Sequence, residues 1–417
     1  MKALKIQGGN ELKGTIRISG AKNSSVALIP AAILSDEAVT ICNVPEITDT
    51  DALSDILNYL GADVKRASES IIVDSKTMSN KPIPNRLAKK LRASYYFMGA
   101  LLGKYKHVEM SFPGGCSIGA RPIDLHLKGF EALGATVTYN DDIYTVEAKE
   151  LKGANIYLDI ASVGATINIM LAATKANGTT IIDNAAKEPE IVNVATFLNN
   201  MGARISGAGT SEIRIIGVEH LNGCFHEVIP DRIEAGTYTI IGALIGNKLK
   251  IDNLIPEHLE ALTSKLIEIG VDIEFGSDYF LINKKNNYKS TKVKTLAFPG
   301  FPTDLQQPFS VLLTQCNGKS ILEETIYENR FMHVPQLNKM GADIKVIGMK
   351  SSIVGPSKLT GTKVEATDLR AGAAMVCAAL IADGETIITN AEHILRGYEN
   401  IVQKLSDVGA KIEIIEI

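Results

Sequence analysis

A glycine-rich stretch, FPGGCSIG at Phe112–Gly119, holds Cys116 near its centre and is followed closely by Arg121. Proline and three glycines leave little side-chain bulk, so the segment can take positive-φ turns and move as a lid. A thiol set among backbone N–H groups and beside an arginine is where cysteine becomes reactive. The plainer reading, a small buried hydrophobe, fits Cys42, Cys316 and Cys377 on their apolar runs. It does not fit Cys116, because such a loop buries little. Cys224, in LNGCFHE, reads as an uninformative loop thiol.

Charged residues gather at a second recurrent place, just before or at the start of apolar segments. These starts read SGAKNSS (Lys22, Asn23), LRAS (Arg92), ASVGAT (Ser162, Val163, Gly164), PDRIEAGT (Asp231, Arg232), FPTDLQQ (Asp304) and TDLRAGA (Asp368, Arg370). Ser162 and Asp231 are the usual residue types of N-caps, and capping is the better reading for both. Lys22, Arg92 and Arg370 are different. A cation at a helix N-terminus opposes the helix dipole unless an anion lies nearby. Further cations stand in the other set of loops: Arg121, Lys187, Arg330 and Arg396. Taken together they predict sites for small polyanions in a chain whose formal net charge is -4.

The elements that must carry these residues come from an internal repeat. A motif of large apolar, Gly, small, any and β-branched residue reads LGADV, LGATV, MGARI, IGVDI, MGADI and VGAKI. Its glycines are Gly61, Gly134, Gly202, Gly270, Gly341 and Gly409, about 70 residues apart. Each motif closes an amphipathic helix such as TDALSDILNYLG, with the glycine as left-handed cap and the β-branched residue opening a strand. Upstream in each unit lies a more apolar helix, for example GATINIMLAATKA or RAGAAMVCAALIA, with no polar face. Such a helix must be wrapped on all sides. Three units per domain, sheets outside and three apolar helices inside, meet that need better than one doubly wound sheet. The expected fold is therefore α/β, two domains of three repeats each, with apolar helices inside and sheets outside. The expected division is 19–229, carrying the Cys116 loop, and 1–18 with 230–417.

Composition narrows the classes further. Of 417 residues, 45% are hydrophobic and 22% charged, as in ordinary globular proteins. Nothing suggests nucleic-acid or membrane binding: there is no basic excess, and the longest apolar run, AGAAMVCAALIA, is short of a membrane span. The start of the chain has no secretory pattern. Five scattered cysteines without a CxxC suit a reducing compartment, so a cytoplasmic location is expected. The seven histidines make no metal-ligand motif, and neither a metal nor a cofactor is expected. A monomer is expected.

The ordered motifs GAKNSS, LRAS, PGGCSIGARPIDLH, SVGAT, EPEIV, PDRIEAGT, FPTDLQ, ENRFMHVP, ATDLRA and RGYE run along essentially the whole chain. In these the sequence resembles the UDP-N-acetylglucosamine 1-carboxyvinyltransferase family of enolpyruvyl transferases, which opens peptidoglycan precursor synthesis. The resemblance implies an inside-out α/β barrel as the fold, in agreement with the burial argument, and phosphoenolpyruvate and UDP-N-acetylglucosamine as substrates. It implies Cys116 as the acid that protonates the methylene carbon, able to form a covalent adduct and to react with fosfomycin. Lys22, Arg121 and Arg396 would hold phosphoenolpyruvate, with Asn23, Arg330 and Arg370 nearby. Asp304 would be the general base at the sugar 3-hydroxyl, with Asn23 beside it. Arg92, the run Arg121, Pro122, Ile123, Asp124 and Leu125, and Ser162, Val163 and Gly164 would contact the uridine diphosphate sugar. Ile326 would meet the acetamido group through its backbone. Ile160 departs from a lysine that some family members carry near the diphosphate.

The residue types suit that chemistry. Adding a hydroxyl to C2 of an enol ether while C3 gains a proton needs an acid, a base and cations around the phosphate. Cys116, Asp304 and the basic residues offer all three. A shikimate 3-phosphate transferase would share the fold but lack the cysteine loop. An inactive nucleotide-sugar-binding paralogue would not need Cys116, Asp304, Lys22 and Arg396 together.

Overall fold

The computed structural model of the chain describes residues 2–111, 114 and 122–417. The six apolar runs form the helices Lys22–Ala31, Tyr96–Tyr105, Val163–Ala173, Arg232–Ile245, Thr303–Leu313 and Leu369–Ile381. Almost every residue of each is buried, from Gly164 through Ala173 in one and from Ile233 through Ile245 in another. The second class of helix has one buried face only. Thr48–Leu60, for instance, buries Leu53, Ile56, Leu57 and Leu60 and exposes Asp51, Asp55 and Asn58. All six repeat glycines have positive φ, between 92° at Gly61 and 108° at Gly409. A side chain there would be strained whatever the space around it, so glycine is what lets each helix stop and a strand begin.

By their contacts the described residues form two units, Gly20–Ile229 and a second made of the chain before Gly20 with Pro230–Ile417. Each has its own hydrophobic core, running from Ala21 to Val228 in one and from Leu4 to Ile412 in the other. Strands alternate buried and less buried residues, as in Ser70–Asp74, whereas the apolar helices are buried all round. Helices inside and sheets outside follow in each unit. In the first unit Tyr96–Tyr105 packs on both Lys22–Ala31 and Val163–Ala173. In the second, Arg232–Ile245, Thr303–Leu313 and Leu369–Ile381 pack on one another. Gly99 shows how close the packing is: a Cβ there would lie 2.3 Å from the carbonyl oxygen of Asn168. The Gly99 N–H instead donates to the Asn168 side-chain oxygen at 2.8 Å.

Among the described residues five of the six sheets share one plan, a strand parallel to its neighbour followed by antiparallel strands; the sixth, His107–Ser111 with Ile143–Glu147 and Thr136–Asn140, has antiparallel ladders only. In the first repeat Phe225–Glu227 runs parallel to Val39–Cys42, and Ser70–Asp74 and Asp63–Ala67 complete the sheet. The last repeat ends at Lys411–Glu416 and has no returning strand of its own. Lys2–Gln7 takes that place, antiparallel to Glu385–Thr389 on one side and Lys411–Glu416 on the other, with Leu4 opposite Ile388 and Ile414. Leu12–Arg17 then lies parallel to Gly246–Asp252.

Candidate active site

The helix Thr303–Leu313 is begun by Pro302 and held by its first side chain: Thr303 Oγ1 donates to Glu324 Oε2 at 2.8 Å. Asp304 follows in the first turn, where the helix dipole favours a carboxylate. Its Oδ1 accepts from Arg330 Nη2 at 2.6 Å and its Oδ2 from Arg370 Nη2 at 3.0 Å. The side chains of Arg330 and Arg370 are 3% and 5% exposed, that of Asp304 26%. Two buried guanidiniums thus back a carboxylate that keeps a face towards solvent.

Arg370 stands in the first turn of Leu369–Ile381, where its charge opposes the dipole. Asp368 caps that helix through Oδ1, accepting from the backbone N–H of Arg370 at 2.8 Å and of Ala371 at 3.0 Å. Burial disfavours the guanidinium charge, yet Asp304, then Tyr398 and Asp231, outweigh it and hold its pKa above the ordinary value. The cation therefore has internal anions as neighbours. Ile326 follows Glu324, the residue that holds Thr303 at the start of Thr303–Leu313. Its N–H donates to Glu324 Oε1 at 2.7 Å, so the backbone group left for a ligand is its carbonyl. Arg396 is half-buried and closes the short helix Glu392–Leu395.

In the other unit Lys22 is the first residue of Lys22–Ala31, and its Nζ lies 2.9 Å from Asp49 Oδ2. Asp49 belongs to the first turn of Thr48–Leu60 and its side chain is 4% exposed, against 14% for Lys22. Asn23 is half-buried beside it. Arg92 opens the turn Arg92–Tyr95 that leads into Tyr96–Tyr105. Ser162 Oγ caps Val163–Ala173, accepting from the Ala165 N–H at 3.3 Å. Asp231 caps Arg232–Ile245 in the same manner, accepting from Ile233 at 2.8 Å and Glu234 at 2.9 Å. Gly164 has no room for a side chain, since a Cβ would lie 2.8 Å from Tyr95 Oη and 2.9 Å from His126 Cε1. Val163 is half-buried; Pro122 and Asp124 are exposed, Ile123 buried and Leu125 half-buried around the start of Asp124–Ala132. Ile160 is 72% exposed. Cys116 and Arg121 lie outside the described residues.

Of the residues expected from sequence to do chemistry, the structure brings Asp304 together with Arg330 and Arg370, and sets Lys22 beside Asn23. Two carboxylates that organise them were not foreseen. Asp49 had a faint signal, an acidic residue early in the first amphipathic helix. Glu324 had none, because what defines it is spatial: a side chain 1% exposed that accepts from Thr295 Oγ1 at 2.8 Å as well as from Thr303 and Ile326.

This architecture is that of an enolpyruvyl transferase. The crystal structure of the enolpyruvyl transferase NikO from Streptomyces tendae superposes with a TM-score of 0.91 at 27% identity, covering 99% of both chains. EPSP synthase from Acinetobacter baumannii shares the fold at a TM-score of 0.77 and 17% identity over the full length of both. Residues 6–405 match the model of the EPSP synthase (3-phosphoshikimate 1-carboxyvinyltransferase) family, and the chain belongs to that family. Within it, a protein of Geobacillus kaustophilus called UDP-N-acetylglucosamine 1-carboxyvinyltransferase 2 is 56% identical over 99% of this chain and 96% of its own. The protein of that name in Bacillus subtilis is 55% identical over the same shares. The one in Listeria monocytogenes is 54% identical over 98% of this chain and 96% of its own.

Proposed function

We propose that this chain transfers the enolpyruvyl group of phosphoenolpyruvate to the 3-hydroxyl of UDP-N-acetylglucosamine, releasing phosphate, in the cytoplasm. The observation that carries this reading is identity above half, over nearly the whole chain, with relatives named for that transfer.

Under it Asp304 takes the proton of the sugar hydroxyl as the oxygen bonds to C2 of phosphoenolpyruvate, and Cys116 gives a proton to C3. The tetrahedral product then returns a proton from C3 to the Cys116 thiolate as the C2–O bond to phosphate breaks, and the proton held by Asp304 leaves with the phosphate, which restores the double bond and both side chains. Lys22, Arg121 and Arg396 hold the phosphate and carboxylate, with Asn23, Arg330 and Arg370 close by. Arg92, Pro122, Ile123, Asp124, Leu125, Ser162, Val163, Gly164 and Ile326 receive the nucleotide sugar. Support for the base comes from its setting, because two buried guanidiniums hold and aim the Asp304 carboxylate while it keeps a face towards solvent.

Phosphate release from phosphoenolpyruvate tests the reading, with UDP-N-acetylglucosamine and shikimate 3-phosphate compared as acceptors. Release with the nucleotide sugar alone is expected. Release only with shikimate 3-phosphate overturns the acceptor, and no release with either overturns the enzyme reading.

A further inference from the structure

Behind Asp304 the side chains form a line of hydrogen bonds whose direction is set at both ends. Arg370 Nη1 lies 3.1 Å from Tyr398 Oη, and a guanidinium can only donate. At the other end Thr237 Oγ1 lies 2.8 Å from the carbonyl oxygen of Ile233, which can only accept. Tyr398 Oη and Thr237 Oγ1 are 2.9 Å apart. With the threonine proton committed to Ile233, the tyrosine must give its own proton to Thr237, leaving the lone pairs of its oxygen for Arg370. Every donor between Arg370 and the helix Arg232–Ile245 therefore has one place to go.

Tyr398 is 1% exposed, so its hydroxyl has no solvent alternative. Burial, ahead of the opposing pull of Arg370 and Thr237, lifts its pKa above the ordinary phenol value, and it keeps its proton. Its ring also faces the guanidinium, with Arg370 Cζ 5.5 Å from the centroid. Arg370 is thus fixed on one side by Tyr398, and its other nitrogen is left at 3.0 Å from Asp304 Oδ2.

We infer that Tyr398, oriented by Thr237, is a positioning residue for Asp304, acting through Arg370. This rests on the reading of Asp304 as the base that receives the hydroxyl proton. Freed from Tyr398, the guanidinium can rotate about its own axis and carry the carboxylate off line, and small displacements of a reacting group are costly.

The test compares Y398F, T237V and T237S in the phosphate-release assay, with thermal unfolding of each. The expected result is a loss in kcat of about 10- to 100-fold for Y398F and a smaller loss for T237V. KM for both substrates should change less than kcat, since neither Tyr398 nor Thr237 is among the residues assigned to a substrate. T237S keeps the hydroxyl and should restore the wild-type rate. Should Y398F prove unstable, the T237V and T237S pair carries the same comparison. Wild-type kcat in folded Y398F and T237V, even with a lowered melting temperature, overturns the inference and leaves a structural role. D304N separates this from the reaction itself: wild-type turnover in D304N removes the base assignment. An inactive D304N beside fully active Y398F and T237V removes only the positioning role.

Discussion

Asp304 Oδ1 rests 2.6 Å from Nη2 of Arg330, a contact that ties the first turn of a buried helix to the segment ahead of Val334–Lys339. Arg370 meets the other carboxylate oxygen at 3.0 Å, so one partly exposed anion is shared by two buried cations. The arrangement has a cost if broken. D304N removes the carboxylate that both guanidiniums contact and should destabilise the protein by about 2–3 kcal/mol, the low end for a buried pair because Asp304 is partly hydrated. Turnover should fall by about 10²–10⁴, the range for losing a general base. Urea titration and the phosphate-release assay read the two effects separately.

C116S addresses the proton at C3. A serine hydroxyl is a far weaker acid than a thiol, so kcat should drop by about 10²-fold or more while UDP-N-acetylglucosamine affinity, measured by calorimetry, stays at the wild-type value. Equal turnover in the serine variant would remove the thiol from the acid role.

Much of the fold is legible along the chain because it is written as periodicity. The six glycines from Gly61 to Gly409 and the helices without a polar face state a burial problem that few architectures solve. Asp304, Arg330 and Arg370 are legible as residue types at loop ends. Their pairing is not, because it depends on contacts between repeats. Reading Lys22 and Arg370 as cations that demand a bound anion overlooked anions of the protein itself, Asp49 and Asp304. No local pattern distinguishes Asp49 from the exposed Asp51 two residues on. The Ser162 and Asp231 caps were legible, since capping is decided within three residues.

Acid should destabilise the second unit through His333, which is fully buried. Its Nε2 lies 2.8 Å from Ser310 Oγ, whose own proton goes to the Gln307 carbonyl, so Nε2 is the protonated nitrogen of a neutral ring. Burial, with Arg330 adding to it and Asp368 opposing, pushes its pKa down from 6.5 to about 4. An unfolded histidine takes up a proton sooner, so the stability tied to the neutral ring is complete above pH 6.5 and is lost as pH falls towards 4. The loss should reach about 3 kcal/mol. Urea midpoints of wild type and H333L across this window check it: the wild-type slope should be steeper, and parallel curves would exclude His333 as its source.

Glu234 gives the opposite sign. It lies in the first turn of Arg232–Ile245, where Oε1 meets Lys404 Nζ at 2.6 Å and Oε2 accepts from the Ser19 N–H at 2.8 Å. Lys404 also donates to Ser19 Oγ at 2.6 Å, and that hydroxyl in turn donates to Glu399. Burial raises the Glu234 pKa to about 7, outweighing Lys404 and Ser19, with Asp231 adding to the rise. Stability held by the protonated form is complete below pH 4.5 and is lost as pH rises through 7. The lysine therefore matters most where the carboxyl ionises. K404M should cost about 3–5 kcal/mol at pH 8, because a buried carboxylate is left alone, but only about 1 kcal/mol at pH 5, where the neutral acid needs no cation. E234Q with K404M should remove this pH dependence, since an amide keeps the Ser19 hydrogen bond without a charge. Melting curves at the two pH values decide the matter: equal losses for K404M at both would mean that Glu234 is charged throughout, and that Lys404, rather than burial, governs its titration.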